Sequence, residues 1–599
     1  MAVREDVRGR EALLARYAAE RAKRLRADGN AQYVRLDAVL GAAERDPYTA
    51  PIARQPVRDH VAFAFIGAGF AGLVTGARLV EAGITDVRLI DKGGDVGGTW
   101  YWNRYPGAQC DTASMVYMPL LEETGHMPTE KYAHAPEILE QCRRIARQYG
   151  LYDKALFQTE VRGLAWDDAA KRWDITTDRG DRFTASFVGL GTGPLHVAKL
   201  PGIPGIADFK GRSFHTSRWD YDYTGGDAEG AAMDRLADKR VAIIGTGATA
   251  VQAVPHLARA AAKLHVVQRT PSSVDARNNA PLDPSWFASI ATPGWQKRWL
   301  RNFTDNQAGG TAREDLVQDG WTDIARRIRA KLVGLPREQL TQAALLDALE
   351  ASDFEKMDEI RARVDTLVED EITAAKLKAW YRQLCKRPCF HDTYLQAFNL
   401  PSVELVDTDG KGVERITERG FVVGTREYEV DCIIFASGFE VGSGFVERAG
   451  FDVVGRDGMT LSQAWAEGMR SLHGTHVHGF PNLFFVQPAQ GANLISNVPH
   501  NLTEAGETVA AIVRHALDRG AAEVEVTAEA EREWVELLLK APPTLRGAPD
   551  CTPGYYNNEG GEATPAMRLA VGYPAGPSAY FTYLDAWRRS GMFAGLEMR

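Results

Sequence analysis

Apolar residues fall into two arrangements along this chain: short runs that stop at glycine, and longer stretches with one apolar face. Residues 61–66 form a short apolar run ended by Gly67, a helical pattern follows through Ala82 to Gly83, and 87–90 is a second run closed by Asp91. Strand, helix and strand in that order predict a β-α-β unit. The pattern returns over 240–269: a strand at 241–244 meets Gly245, a helix carries 251–264, and 265–267 is the second strand. Flanks and spacings differ, so one fold is used twice without a short repeat. Residues 335–409 contain no glycine and place Leu345, Leu349, Met357 and Ile360 at helical intervals, which predicts a helical insertion. Strand-like runs follow at 403–406, 421–423, 432–436 and 483–486, then a helix through 509–517. Residues 1–60 are an Arg- and Ala-rich leader with a helix over 11–25, read as lying against the body or as a mobile tail. The stretch 541–599, rich in Gly, Pro and Tyr, reads as loop.

Composition adds exclusions. The 599 residues are 45% hydrophobic and 25% charged, as in globular proteins, and the net charge of −9 argues against a nucleic-acid partner. No apolar run is long enough for a membrane span and the N-terminus lacks a signal core, so a cytoplasmic protein is expected. The six cysteines are scattered without a Cys-x-x-Cys pair, and read as buried thiols of a reducing compartment.

The two glycine loops carry the first chemistry. Gly67-Ala68-Gly69-Phe70-Ala71-Gly72 fits G-x-G-x-x-G: a tight turn, close approach to a pyrophosphate, then close helix–strand packing. The phosphates sit at a helix N-terminus. Asp91, at the end of the second strand, accepts from ribose hydroxyls and repels a 2′-phosphate, so FAD or NAD belongs here. Gly245-Thr246-Gly247-Ala248-Thr249-Ala250 fits G-x-G-x-x-A, and Arg269-Thr270 stands where the first unit has its acid. A guanidinium suits a 2′-phosphate, which selects NADPH, unless Arg269 is only a solvated surface residue. FAD and NADPH are therefore the expected cofactors of an α/β protein with two Rossmann-like domains, a helical insertion and an N-terminal helical extension. The FAD domain is expected over 61–195 and 386–540, and the NADP domain over 196–385 with the insertion at about 280–385.

Between the two units lies Phe209-Lys210-Gly211-Arg212-Ser213-Phe214-His215-Thr216-Ser217-Arg218-Trp219-Asp220. It resembles the F-x-G-x-x-x-H-x-x-x-W-(P/D) fingerprint of the Baeyer–Villiger monooxygenases at all its defined positions (Phe209, Gly211, His215, Trp219, Asp220). Gly97-Gly98-Thr99-Trp100-Tyr101-Trp102 looks like that family's flavin-side loop, Asp111 like its active-site aspartate, Lys386-Arg387 like its Lys-Arg pair, and Ala436-Ser437-Gly438-Phe439 like its Ala-Thr-Gly-Phe segment with Ser for Thr. The leader, 385–392 and 551–560 resemble a subgroup acting on large cyclic and polycyclic ketones.

The resemblance implies a monooxygenase that takes a ketone and O2 to a lactone or ester through a C4a-peroxyflavin. By the same resemblance Arg387 protects the anionic oxygen adduct, Asp111 orients Arg387, and Lys386 shares the 2′-phosphate with Arg269 and Thr270. Tyr117 and Val161 occupy places where that family contacts FAD. An N-cap role for Asp111 and a surface cation at Arg387 stand as alternatives. His215 and Trp219 read as structural, in a linker that couples domain motion to NADPH binding. The cluster His473, His476, His478 lacks a placed Glu or Cys partner, and no metal is expected. The rival readings are an N- or S-oxygenating flavin monooxygenase and a flavin-binding sensor without turnover. Pocket walls are expected from 487–496, 551–562 and the insertion; oligomeric state is left open.

Overall fold

The strand His60–Ile66 buries its last four residues, as a strand covered by helices on both faces does. It runs parallel to Val87–Ile90 and Arg182–Leu190, and Leu483–Phe485 joins the latter in parallel. Val161–Asp167 and Arg172–Thr177 extend this first sheet antiparallel. The second sheet is parallel throughout, in the order Val403–Asp407, Lys263–Gln268, Arg240–Ile244, Cys432–Phe435, Arg212–His215. Both expected Rossmann-like units are thus present. The computed structural model describes residues 2–36, 39, 46–308, 314–441, 444–487, 490–491, 497–541, 548 and 550–599.

Several expected boundaries move. Val403–Asp407 and Cys432–Phe435 complete the second sheet, so the chain returns to the first after Phe435, not at 386. An apolar run does not say which of two sheets it will join. The helix expected over 251–264 is Ala248–Ala260, and Leu264 lies in the next strand, its N–H bonded to the Ser402 carbonyl. The end of the chain is not loop alone: Pro577–Ser590 is a helix burying Tyr580, Phe581, Leu584 and Trp587, and Leu596–Met598 pairs with Val524–Val526. That helical spacing was hidden by the Gly- and Pro-rich flanks.

The leader lies against the body. Its helix Ala2–Ala22 buries Tyr17, whose hydroxyl accepts from Arg361, and Tyr33–Arg35 pairs antiparallel with Lys199–Pro201. The insertion supplies the helices Pro284–Ile290, Trp295–Gln307, Gly320–Leu332, Gln342–Leu367 and Glu371–Leu377. Trp295, Trp299 and Phe303 share one buried cluster with Trp100, Tyr101 and Met115, and their helix packs on Ser114–Tyr117, so the insertion braces the segment that follows the flavin-side loop.

The cysteine expectation fails in part. Cys385 and Cys551 form a disulfide across a separation of 166 residues, while Cys110, Cys142, Cys389 and Cys432 are buried thiols. Pairing depends on tertiary approach, which spacing along the chain does not reveal. Among the described residues no helix is long and apolar enough to cross a membrane.

Candidate functional site

Gly67 has φ +112, and a Cβ there would sit 2.4 Å from the Gly191 carbonyl oxygen; one on Gly72 would sit 2.0 Å from the Gly67 carbonyl oxygen. Both positions therefore require glycine. Gly69 caps the helix Phe70–Glu81 and lies against Gly98, which caps the turn Thr99–Trp102. Asp91 reaches back to the loop: Oδ2 accepts from Ala68 N at 2.6 Å and Oδ1 from Gly93 N at 2.7 Å. Burial raises its pKa against those two bonds. Phe70, Trp100 and Tyr117 form one aromatic group, with ring centroids 5.6 and 5.7 Å apart and Trp100 Nε1 donating to the Tyr117 hydroxyl at 3.1 Å. Burial holds that phenol protonated. Val161 instead sits in the sheet core beside Ile66 and Ile90, two residues past Thr159, whose N–H bonds the Asp91 carbonyl.

The second loop repeats this logic with one difference. Gly245 has φ +116, and its Cβ would meet the Ala436 carbonyl oxygen at 2.5 Å. Gly247, which caps Ala248–Ala260, faces open space within 4 Å. Such room at a helix N-terminus fits a pyrophosphate. Thr249 shares that first turn, and Ala250 is buried in place of the third glycine. Thr246 Oγ1 donates to the Thr270 carbonyl at 2.7 Å.

Arg269, Thr270 and Lys386 come together at the end of this unit. Arg269 donates to Gln32 Oε1 and to the Tyr33 hydroxyl at 3.4 Å. Arg24 Nε donates to Thr270 Oγ1 at 3.1 Å. Lys386 Nζ donates to the Pro553 carbonyl at 2.6 Å. Burial, reinforced by Arg269, pushes the Lys386 ammonium down to about 8, with Glu559 opposing. Crowded cations with a depressed lysine are the electrostatic complement of a phosphate dianion.

Arg387 and Asp111 form a bidentate pair, Nη1–Oδ2 and Nη2–Oδ1 both 2.7 Å. The Asp111 side chain is 3% exposed and that of Arg387 36%. Burial opposes the guanidinium charge, but Asp111 outweighs it and holds the pKa well above the ordinary arginine value. Asp111 caps no helix; the next one begins at Ser114 after Ala113. The pair is framed by Trp321, whose ring lies 5.4 Å from the guanidinium and whose Nε1 donates to the Asp111 carbonyl at 2.9 Å. The strand Cys389–Phe390, paired with Val274–Asp275, fixes Arg387 from the other side.

Sequence reasoning missed four residues here. Buried Arg277 donates to Gln109 Oε1, and Gln252, on the second glycine-loop helix, donates to the Gln109 carbonyl at 2.7 Å. Tyr105 donates to Gln252 Oε1 at 2.8 Å. Arg277, Gln109, Gln252 and Trp321 belong to no motif; only their nearness in sequence to Asp111 and Gly247 pointed toward two of them.

The fingerprint residues build a joint. His215 is fully buried, accepts from Ser217 N at 3.2 Å, and is held neutral by burial with a pKa of about 3. Trp219 is buried and donates to Thr224 Oγ1 at 3.1 Å; Asp220 accepts from Tyr223 N at 3.0 Å and pairs with Arg212. Gly211 lies under the Phe209 ring. Arg218 stacks 3.8 Å above Trp102, which ties the fingerprint to the flavin-side loop. His473 pairs with the Tyr583 hydroxyl and His478 donates to the Val526 carbonyl. Among the described residues no group of three or more His, Cys, Asp or Glu is placed to hold a metal. Of the expected pocket walls, 487–496 lies largely outside the described residues.

The family model for pyridine nucleotide-disulphide oxidoreductases matches residues 64–289. Neopentalenolactone D synthase of Streptomyces avermitilis is 51% identical over 98% of this chain and 99% of its own. A Baeyer–Villiger monooxygenase of Stachybotrys chlorohalonatus is 46% identical over 97% of this chain and 93% of its own. The solved polycyclic ketone monooxygenase of the thermophilic fungus Thermothelomyces thermophila matches with a TM-score of 0.89 at 38% identity, covering 99% of both chains. The chain belongs to the Baeyer–Villiger monooxygenase family. It is an NADPH-dependent flavin monooxygenase with FAD and NADP as its nucleotides, as the paired glycine loops imply.

Proposed function

We propose that this enzyme converts a bulky cyclic or polycyclic ketone to a lactone or ester, with Arg387 and Asp111 at the reacting centre. Bound FAD, reduced by NADPH, supplies activated oxygen from O2. The first glycine loop and the N-terminus of Phe70–Glu81 hold the FAD pyrophosphate, and Asp91 accepts from the ribose. Gly98, Thr99, Trp100 and Tyr117 wall the flavin side, and Val161, on the first sheet two residues past Thr159, contacts FAD. The second loop holds NADPH, and Arg269, Thr270 and Lys386 take its 2′-phosphate. Arg387 offers a permanent cation to negative charge developing on oxygen. Asp111 fixes its direction through two parallel bonds. The joint built by Phe209, Gly211, His215, Trp219 and Asp220 couples the two domains through Arg218 and Trp102 without doing bond chemistry.

The Arg387–Asp111 pair carries this reading, because it fixes a charged donor within electrostatic reach of Tyr105, which is bonded to Gln252 of the second glycine-loop helix. The substrate class is supported by relatives whose names concern pentalenolactone formation and polycyclic ketones. The net charge of −9 supports no nucleic-acid partner. The test is a panel of cyclic and polycyclic ketones, amines and sulfides, with NADPH and O2 consumption and product masses. Lactone from the ketones supports the reading. N- or S-oxides alone would replace it with the near rival. A flavin that NADPH fails to bleach without oxygen would replace it with the sensor.

A further inference from the structure

The 2′-phosphate cluster contains a carboxylate that the family resemblance does not assign. Glu559 has a side chain 3% exposed, its Oε2 lies 3.5 Å from Arg269 Nη2, and its Oε1 accepts from the Tyr33 hydroxyl at 3.2 Å. It is held there by construction. Asn558 and Glu559 have φ of +51 and +53, two successive non-glycine residues in the left-handed region. Such backbone persists only where the surroundings impose it. Glu559 N donates to the Gly554 carbonyl at 2.9 Å, Gly554 N donates to Asn557 Oδ1 at 2.9 Å, and Asn30 Nδ2 donates to Asn558 Oδ1 at 2.5 Å. The Cys385–Cys551 disulfide anchors the start of this loop to the residue before Lys386. The leader (Gln32, Tyr33) and the C-terminal loop thus meet over Arg269.

A carboxylate in this place acts against its setting. It repels a 2′-phosphate, and it accepts a hydrogen bond from the bare 2′-hydroxyl of NADH. It also compensates Arg269 and Lys386 while no phosphate is present. We propose that Glu559 is a specificity-determining residue, an internal anion that competes with the 2′-phosphate for Arg269 and so lowers the preference for NADPH over NADH. This rests on Arg269 and Lys386 forming the 2′-phosphate site. Binding of the phosphate displaces Glu559 and loosens the loop 551–560.

The test uses the FAD-loaded enzyme and titration calorimetry with 2′,5′-ADP and with 5′-AMP, which lacks the 2′-phosphate. Glu559→Gln keeps the shape and removes the charge. It is expected to tighten 2′,5′-ADP about tenfold and to weaken 5′-AMP slightly, because an amide oxygen accepts from the 2′-hydroxyl less strongly than a carboxylate does. Equal or weaker 2′,5′-ADP binding by this variant overturns the proposal, since Glu559 would then only scaffold Arg269. Arg269→Ala separates the premise: if it leaves 2′,5′-ADP binding unchanged, the phosphate site lies elsewhere and both readings fall. Hydrogen exchange on the unmodified enzyme needs no variant to fold. Faster exchange over 551–560 with 2′,5′-ADP than with 5′-AMP supports displacement; equal or slower exchange overturns it.

Discussion

At the scale of single residues, the role proposed for Arg387 separates binding from chemistry. Its two bonds to Asp111 spend one edge of the guanidinium on orientation, while more than a third of the side chain stays accessible. Arg387→Ala should therefore keep FAD and oxidise NADPH, yet lose ester formation by about 10²–10³-fold. Arg387→Lys should recover only part of this, because a point charge cannot make the parallel pair. Product analysis beside NADPH consumption checks both; undiminished lactone from Arg387→Ala would remove the residue from the mechanism. Lys386 gives a pH signature. Burial lowers its pKa to about 8 in the free protein, and a phosphate dianion favours the charged form. Binding of 2′,5′-ADP near pH 8 should take up protons, and affinity should fall as pH rises through that value. Calorimetry in buffers of different ionisation heat reads the uptake, and Lys386→Gln should abolish it. Arg269 and Thr270 were legible from their place after the second unit's strand and Lys386 from the family resemblance; the structure sets Lys386 within electrostatic reach of Arg269. Arg277 and Gln109 were not legible, because their meaning lies in an approach between segments about 170 residues apart that no local pattern encodes.

At the scale of elements, the glycine loops were legible because each glycine answers a local demand. Gly245 and Gly247 answer different ones. A Cβ on Gly245 would meet the Ala436 carbonyl oxygen at 2.5 Å with φ at +116, whereas a Cβ on Gly247 meets nothing within 4 Å. Gly245→Ala should therefore cost stability, by about 1–3 kcal/mol for the strained backbone alone. Gly247→Ala should melt like the parent protein and still bind NADP more weakly, since the methyl group occupies the space a pyrophosphate approaches. A melting curve and a nucleotide titration on each variant settle the contrast; a destabilised Gly247→Ala would mean that the second glycine serves the fold. What the pattern could not supply was allegiance. Cys432–Phe435 is buried along its whole length, and nothing within it says that it joins Arg240–Ile244 in the second sheet instead of returning to the first. Strands of parallel sheets read as uniform apolar runs, so their order is set by crossovers and long-range packing.

At the scale of the whole molecule, the two ends of the chain are fastened around the proposed 2′-phosphate site. The leader reaches Arg269 through Gln32 and Tyr33, and the C-terminal part reaches Lys386 through Pro553 and the Cys385–Cys551 disulfide. Closing a loop of 166 residues restricts the unfolded chain, an effect of up to about 5 kcal/mol if the native geometry is unstrained. The bond is also local to the proposed site, since Cys385 immediately precedes Lys386 and Arg387. Two consequences are expected together on reduction, or in Cys551→Ser. Thermal unfolding should move down by several degrees, and the Michaelis constant for NADPH should rise while FAD stays bound. A fall in melting temperature with an unchanged Michaelis constant would show that the strand Cys389–Phe390 and the Asp111 pair suffice to hold the two cations. In that case the bond would stabilise the fold alone. A rise in the Michaelis constant without a thermal shift would instead locate its whole effect in the loop 551–560 that it anchors.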